Sequence, residues 1–255
     1  DYTVKHTAFS SRGNCLFSDK FYALCDYINK NIEVSCIKEI ENLQIKSKSL
    51  GDFVTSADLK VEQSLLETLK YYYPNANYLT EESGAIKGDG ETIVIDPIDG
   101  TSNFIHGIPH VAIVIGKIVN DQITDGIIYN PILNEFYWAS LGKGAWCNNK
   151  RIRVSKKKEI NNCLFATGGH SKDKIDLPTR RSGSAALDIA YVASGRYDGY
   201  FQNDLNLWDI AAGIIILKEA GGMINEIDLS KNNKIKIRAS SMAINDKLLE
   251  KLKNF

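Results

Sequence analysis

Apolar residues recur at helical spacing in two segments near the start of the chain. The spacing predicts one helix at about residues 16–43 and a second at about residues 56–73. Four apolar residues form the buried stripe of the second helix: Val61, Leu65, Leu66 and Leu69. Pro74 follows, and a proline there is typical of a helix end. The polar residues 47–52, between the two helices, are predicted to form a loop.

Strand patterns follow the second helix. The β-branched residues 93–95 predict a short buried strand, which leads directly into the sequence DPIDG at residues 96–100. Because Pro97 has no backbone N–H, we expect the chain to leave the sheet there. Four further strands are predicted in the sequences VAIVIGKIV, QITDGIIYN, EFYWAS and RIRVS, which are separated by polar turns. Successive strands with short turns are typical of an antiparallel meander.

The pattern changes after the polar, lysine-rich residues 156–159. Strands and helices alternate from there to the end of the chain. Strands are predicted at residues 164–167 and 197–202, near 223 and at 237–244, and helices at 184–194, 208–220 and 246–252. This alternation implies a layered α/β arrangement. We therefore expect two parts, an α+β half at residues 1–155 and an α/β half at residues 156–255.

The composition is that of a globular protein. The chain has 255 residues, of which 44% are hydrophobic and 24% charged, enough apolar material for a packed core. Its 31 basic residues balance 31 acidic ones, so direct nucleic-acid binding is not expected. No apolar run is long enough for a membrane span or a signal peptide, and we expect a cytoplasmic protein without membrane attachment. The five cysteines and four histidines form no CxxC or HExxH motif, which disfavours a zinc site or a disulfide framework.

The acidic residues of most chemical interest lie at the ends of predicted elements. They are Asp58, Glu81, Glu82, Asp96, Asp99 and Asp209. Asp96 stands at the tip of a buried strand, and Asp99 follows closely enough to share a cation with it. Hard carboxylate oxygens suit Mg²⁺. Because carboxylates close together repel one another unless cations neutralise them, this set favours a metal site.

Each of these acidic motifs also has an ordinary structural explanation. An isolated DxxDG is usually a turn, an Asp before an apolar helix is usually a cap, and a Glu pair in a loop is usually surface. Their combination is specific, because GDFVTSAD, TEESG, IDPIDGTSNF and WDIAAG occur in this order. In these motifs, and in SGSAALDIAYVASGRYDGY and KEAGG, the chain resembles the inositol monophosphatase family of Mg²⁺-dependent, lithium-sensitive phosphatases. The resemblance extends from about residue 16 to the C-terminus.

The resemblance implies a fold and a reaction. The fold is a layered α-β-α-β-α sandwich of the inositol monophosphatase and fructose-1,6-bisphosphatase type, commonly a homodimer. The reaction is hydrolysis of inositol 1-phosphate, or a related small polyol or sugar phosphate, by metal-activated water with two to three Mg²⁺ ions. By the family pattern, Glu81, Asp96 and the Ile98 carbonyl would bind the first metal, and Asp96, Asp99 and Asp209 the second. Glu81 would also face a third, weaker ion.

The resemblance also implies roles for residues around the metals. Asp58 and Thr101 correspond to the pair that orients the attacking water. Glu82 corresponds to a carboxylate that stabilises the metal ligands without binding the metal itself. The N–H groups of Gly100 and Thr101, next to Asp99, correspond to the cradle that binds the phosphate.

A substrate pocket is implied in the second half of the chain. Gly183, Ser184 and Ala185 resemble part of the polyol site, and with Asp209 in the same half we expect the active site to lie between the two halves. Many family members have a Glu seven residues before the Asp of the WD motif, and this chain has Gln202 there. Gln loses the charge and gains a donor, so we expect weaker discrimination among polyol phosphates.

Three alternatives compete with this interpretation. Within the family, the substrate could instead be fructose 1,6-bisphosphate, histidinol phosphate or a 3′-phosphoadenosine nucleotide, although no basic nucleotide pocket is evident. Some bacterial relatives associate with the transcription machinery, so an interaction protein is the alternative of a different class. No basic and aromatic stripe supports direct RNA binding. A catalytically inactive member is disfavoured, because every matched metal carboxylate is present.

Overall fold

The computed structural model describes residues 45–49, 52–168 and 176–253, together with positions 21, 24, 25, 27 and 28 of an earlier helix. Those five positions are helical, as the spacing predicts, and the other residues of the predicted first helix lie outside the described residues. Phe21, Leu24 and Ile28 are buried, so they form part of the core.

The secondary structure of the described residues consists mainly of short strands. The strands are β1 (Ile45–Ser49), β2 (Asp52–Thr55), β3 (Asn77–Thr80), β4 (Gly84–Ile86), β5 (Thr92–Asp99), β6 (Ala112–Val119), β7 (Gln122–Asn130), β8 (Glu135–Ser140), β9 (Gly144–Cys147), β10 (Lys150–Arg151), β11 (Phe165–Thr167), β12 (Thr179–Arg180), β13 (Gly199–Leu205), β14 (Gly222–Ile224) and β15 (Ile235–Ser241). The α-helices are α1 (Ser56–Tyr72), α2 (Thr101–Ile105), α3 (Ala185–Ala193), α4 (Leu207–Glu219) and α5 (Asn245–Lys251). Short 3₁₀ turns occupy Ile160–Asn162 and Met242–Ile244. The predicted helices of the second half are therefore confirmed to within about two residues.

The larger sheet has eight strands in the order β10-β9-β8-β7-β6-β5-β3-β4. In this sheet β3 and β5 pair in parallel, and the other neighbouring strands are antiparallel. The predicted meander is thus confirmed for β6, β7 and β8. Strand β9 was not predicted, and of the sequence RIRVS only Arg151 lies in a strand. Both strands are too short for alternation to indicate them reliably.

The two faces of this sheet pack against different helices. Ile93 and Ile95 of β5 face α1 and the earlier helix, whereas Val94 between them faces the opposite side, where α3 and α4 lie. Successive side chains of a strand point to opposite faces. A central strand covered on both sides is therefore apolar throughout, as residues 93–95 are.

Helix α4 lies close to the sheet because glycines face it. Gly116 of β6 and Gly126 of β7 are paired across the two strands. A Cβ atom at Gly116 would lie 2.8 Å from the Cβ of Ala211, and one at Gly126 would lie 2.7 Å from the carbonyl oxygen of Ala212. Larger residues at these positions would push the helix outward. The close approach therefore fixes the start of α4, where Asp209 lies.

The smaller sheet has five strands in the order β12-β11-β13-β15-β14. Tyr200 of β13 packs with α3 and α4, and its neighbour Phe201 packs on the other face with Leu248 of α5. The layers are α1 with the earlier helix, the eight-stranded sheet, α3 with α4, the five-stranded sheet, and α5. This arrangement confirms the expected α-β-α-β-α sandwich.

Three further local predictions were wrong. Residues 47–49 and 52, predicted as part of a loop, lie in the antiparallel strands β1 and β2. Strand β5 continues past Pro97, because Asp96 pairs with Val114 and Asp99 with Ala112. Three steps along β5 thus match two along β6, and such a bulge accommodates a residue that has no N–H for the ladder. A helix, α2, begins directly after residue 100, where no helix was predicted.

The connection between the two sheets runs through residues 152–159, which have no regular secondary structure. These residues include the polar joint predicted to separate two halves of the chain. Helices α3 and α4 of the second half pack against both sheets, and the division into halves stays a prediction. Across the described part of the chain, no helix combines the length and apolar character needed to cross a membrane.

Candidate active site

The end of β5 carries two of the predicted site residues. Asp96 is buried, and its Oδ1 accepts the N–H of Ile98 at 3.0 Å. The carbonyl oxygen of Ile98 in turn accepts the Thr101 hydroxyl at 3.1 Å. The bulge at Pro97 therefore leads into a compact turn, and this turn brings Asp96, the Ile98 carbonyl and Thr101 close together.

Gly100 connects this turn to α2. Its φ of +94° lies in the left-handed region, and a Cβ there would lie 3.0 Å from the His110 carbonyl oxygen and 3.2 Å from that of Gly183. Both the backbone conformation and the lack of space favour glycine. The first N–H groups of a helix have no acceptor within the helix. The N–H groups of Gly100 and Thr101, which are predicted to bind the phosphate, lie at this helix start.

Asp58 lies in the first turn of helix α1. Thr55 caps the helix, and its N–H and hydroxyl donate to Asp58 Oδ2 at 2.8 and 2.6 Å. The other oxygen, Oδ1, lies 3.3 Å from the Thr101 hydroxyl oxygen. Burial raises the pKa of Asp58, although the hydrogen bonds from Thr55 and Thr101 oppose this effect. The structure therefore brings the predicted pair Asp58 and Thr101 into contact.

Asp99 joins β5 to the start of α3. Its Oδ2 accepts the Ser184 hydroxyl at 2.6 Å and the Ala186 N–H at 2.7 Å, and its Oδ1 accepts the Ala185 N–H at 3.3 Å. Burial raises the pKa of Asp99 to about 6, even though the bonds from Ser184 and Ala186 favour the ionised form. This carboxylate therefore connects the two sheets through the helix N-terminus.

Asp209 lies in the first turn of α4. Its Oδ2 accepts the N–H of Asn206 at 2.8 Å in a capping box. Burial, followed by the charge of Asp99, raises its pKa well above the usual range. The ordinary explanation of Asp209, as part of a helix cap, is thus correct. Its carboxylate also lies close enough to Asp99 and Glu81 for their charges to act on it.

Four carboxylates are close enough for their charges to act on one another, and we call them the acidic cluster: Glu81, Asp96, Asp99 and Asp209. The pKa of Asp96 is raised well above its usual range by burial, then by the charges of the other three, and by a hydrogen bond with Glu81. Among the described residues, no group of three or more His, Cys, Asp or Glu side chains is arranged so that it could hold a metal ion as it stands. The candidate donors are nevertheless all carboxylate and carbonyl oxygens, which is the type of ligand that a hard cation such as Mg²⁺ prefers. A bound cation would also remove the repulsion that raises these pKa values.

A cavity of about 240 Å³ adjoins the cluster. Its lining includes Asp99, Asp209 and the four residues predicted for the polyol site: Gly183, Ser184, Ala185 and Gln202. The Oε1 of Gln202 accepts the Tyr200 hydroxyl at 2.5 Å. A larger groove of about 760 Å³ lies at the other end of α4, around Lys218, and none of the clustered carboxylates lines it.

Two buried acidic residues near the site were missed by the sequence reasoning. Glu62 accepts the N–H groups of Glu82 and Ser83, at the turn that carries Glu81. Asp188 lines the cavity and lies 3.4 Å from the Nε2 of His110. The available signal for Glu62 was its spacing of four from Asp58, which places both on one face of a helix. The available signal for Asp188 was its position as the only charged residue of the otherwise apolar helix α3, because a helix that is apolar on all sides is usually buried.

Comparison with known proteins gives matches over most of the chain. A sequence profile described as the inositol monophosphatase family matches residues 22–254. The chain is 38% identical over 237 residues to a Caulobacter vibrioides protein named inositol-1-monophosphatase, covering 84% of this chain and 93% of that one. It is 40% identical over 201 residues to a Pasteurella multocida protein named Nus factor SuhB, covering 72% of this chain and 76% of that one. The solved structure of a Thermotoga maritima IMPase matches with a TM-score of 0.84 and 31% identity, over 92% of this chain and 97% of that one.

Proposed function

The chain belongs to the inositol monophosphatase family, and we propose on this basis that it is a Mg²⁺-dependent phosphomonoesterase. Its proposed substrate is inositol 1-phosphate or a related small polyol or sugar phosphate. The observation that carries the proposal is the acidic cluster beside the cavity lined by Ser184 and Gln202. A cluster of buried carboxylates that raise one another's pKa is expected where a cation belongs.

We assign the metal ligands by the family pattern. Glu81, Asp96 and the Ile98 carbonyl would hold one Mg²⁺, and Asp96, Asp99 and Asp209 a second, with Glu81 also facing a third. When bound, the ions supply charge stabilisation for the phosphoryl oxygens and a water of lowered pKa.

The residues Asp58 and Thr101 would orient the attacking water and take up its proton. The Thr101 hydroxyl can donate to Asp58 at 3.3 Å or to the Ile98 carbonyl at 3.1 Å, which leaves its oxygen free to accept a hydrogen bond from water. Because burial raises the pKa of Asp58, its carboxylate is a stronger base than an exposed aspartate. Water would attack phosphorus as its proton passes to Asp58, and the bond from phosphorus to the alcohol oxygen would break. The alkoxide would then take a proton from solvent water, and Asp58 would return its proton to solvent.

The remaining predicted residues would bind the substrate. The N–H groups of Gly100 and Thr101 would bind phosphate oxygens at the start of α2. Gly183, Ser184 and Gln202 would surround the alcohol part in the cavity. Glu82, next to Glu81, would stabilise the metal ligands without binding the metal itself.

A phosphate-release assay tests this function. Purified protein is incubated with inositol 1-phosphate, glycerol 2-phosphate, fructose 1,6-bisphosphate, histidinol phosphate and 3′-phosphoadenosine 5′-phosphate, with MgCl₂ or with EDTA. We expect Mg²⁺-dependent release that is greatest with a polyol monophosphate and absent in Asp96→Asn. Full activity in EDTA would exclude the metal assignment, and preference for another member of the panel would reassign the substrate.

A second proposed property is assembly with other chains. The relative named Nus factor SuhB favours an association with the transcription machinery, and the family resemblance favours a homodimer. Light scattering of the purified protein would measure the mass, and a value for one chain would exclude the dimer. Co-purification with tagged RNA polymerase, using an unrelated phosphatase as the control, would test the association.

A further inference from the structure

The turn between β3 and β4 carries Glu81 and Glu82, and its backbone is bound by a carboxylate from α1. Glu62 is 2% exposed. Its Oε2 accepts the N–H of Glu82 at 3.0 Å, and its Oε1 accepts the N–H of Ser83 at 2.9 Å and the Ser83 hydroxyl at 2.5 Å. Hydrogen bonds to a charged acceptor are stronger than neutral ones. Three donors on one buried carboxylate therefore hold this turn firmly to the helix.

The same turn is held from the other side by β5. The N–H of Glu81 donates to the Ile95 carbonyl oxygen at 3.2 Å. Ile95 directly precedes Asp96, so this bond places the backbone of Glu81 beside the strand end. Glu81 thus lies between a bond to β5 at its own N–H and three bonds to Glu62 from the next two residues.

Glu62 and Asp58 are one helical turn apart on the buried face of α1. Asp58 contacts Thr101, and Glu62 holds the turn of Glu81. One rigid helix therefore sets the position of the proposed water-orienting pair relative to a proposed metal ligand.

We propose that Glu62 is a positioning residue for the cation site, and this rests on the proposed function. When Glu81 and Asp96 are both ionised, they repel each other, and a free turn would move Glu81 away from the strand. The bonds from Glu62 oppose that movement, so the ligands keep their spacing before the cation arrives. Without Glu62, part of the binding free energy of the cation would be used to order the turn.

Calorimetric titration of Mg²⁺ tests this role without depending on activity. Groups that orient metal ligands typically change metal affinity by 10- to 100-fold when mutated. We expect Glu62→Gln, which turns an amide group toward one of the donors, to raise the Kd for Mg²⁺ about tenfold. Ser83→Ala removes one of the three bonds and should raise it about two- to threefold. The control Glu67→Gln alters an exposed glutamate of the same helix and should leave it unchanged.

The outcomes separate the two proposals. If the wild type binds no Mg²⁺, the proposed function fails. If the wild type binds Mg²⁺ and Glu62→Gln binds it within twofold of the wild type, the positioning role is overturned. If the role of Glu62 is purely structural, Glu62→Gln should lower the free energy of unfolding in urea by the same amount in EDTA and in MgCl₂. If Glu62 positions the metal ligands, a tenfold weaker Kd should reduce the extra stability that saturating Mg²⁺ gives by about 1.4 kcal/mol relative to the wild type. Should Glu62→Gln fail to fold, an unchanged Kd in Ser83→Ala overturns the role and a raised Kd supports it.

Discussion

Replacing Asp96 with Asn should stabilise the metal-free protein while abolishing its activity. Asp96 is 2% exposed, and the charges of Glu81, Asp99 and Asp209 act on it in addition to burial. Asn has nearly the same size, and its Oδ1 can still accept the Ile98 N–H. Its Nδ2 can donate toward Glu81. The substitution therefore removes a buried charge without creating a cavity.

The size of the effect follows from the pKa values of the cluster. The pKa of Asp99 rises from 3.8 to about 6, and at about 1.36 kcal/mol per unit this shift costs about 3 kcal/mol when the group is ionised. Burial and neighbouring carboxylates act on Asp96 in the same direction. We expect Asp96→Asn to raise the free energy of unfolding by about 1–3 kcal/mol at pH 7.5 in EDTA.

The pH dependence of stability has a definite sign. A carboxyl whose pKa is raised in the folded protein contributes its stability below the unfolded pKa and loses it as the pH rises through the folded value. For Asp99 the loss falls between about pH 4 and about pH 6, and Asp96 and Asp209 extend it upward. Metal-free wild type should thus lose stability as the pH rises, and Asp96→Asn should lose less.

Urea denaturation followed by tryptophan fluorescence measures these differences. Both proteins are unfolded in EDTA at several pH values and then in MgCl₂, which should stabilise the wild type alone. The matched control is Asp125→Asn, because Asp125 is also buried but pairs with Lys117 at 2.5 Å and accepts the Thr124 hydroxyl at 2.8 Å. This control should lose stability. If Asp96→Asn is less stable than the wild type in EDTA at pH 7.5, or keeps its activity, the reasoning is refuted.

Three further predictions concern turnover. Thr101→Ala should lower kcat about 10²- to 10³-fold at saturating Mg²⁺, because water loses its orienting hydroxyl, and a loss of Mg²⁺ affinity alone in calorimetry would contradict this role. Gln202→Glu should raise the preference in kcat/KM for inositol 1-phosphate over glycerol 2-phosphate about tenfold, since a charged acceptor binds hydroxyls more strongly; an unchanged ratio would remove Gln202 from the substrate site. EDTA should abolish phosphate release and MgCl₂ restore it, and millimolar LiCl should inhibit it as the family resemblance implies, which a lithium titration at fixed Mg²⁺ checks.

Periodicity within single segments was sufficient to identify most of the larger elements. The buried stripe of α1 and the alternation in β6, β7 and β8 depend only on residues close in sequence, so they could be recognised locally. The position of Asp96 at the end of a buried strand is local in the same sense. The order of the acidic motifs then identified the family. The structure brings Glu81, Asp99 and Asp209 near enough to Asp96 for their charges to act on it, and the role of these four carboxylates as metal ligands stays a prediction.

Contacts between distant segments could not be predicted in this way. Ser184 donates to Asp99 across 85 residues, and Glu62 binds the N–H of Glu82 across 20. In the sequence only the spacing of four from Asp58 distinguishes Glu62, and its hydrogen bonds to the turn depend on distances in space that no local pattern contains. Strand β9 escaped recognition because four residues are too few for a period to be distinguished. The close approach of α4, which places Asp209, required Gly116 and Gly126 to meet across two strands, and this pairing exists only once the sheet has formed.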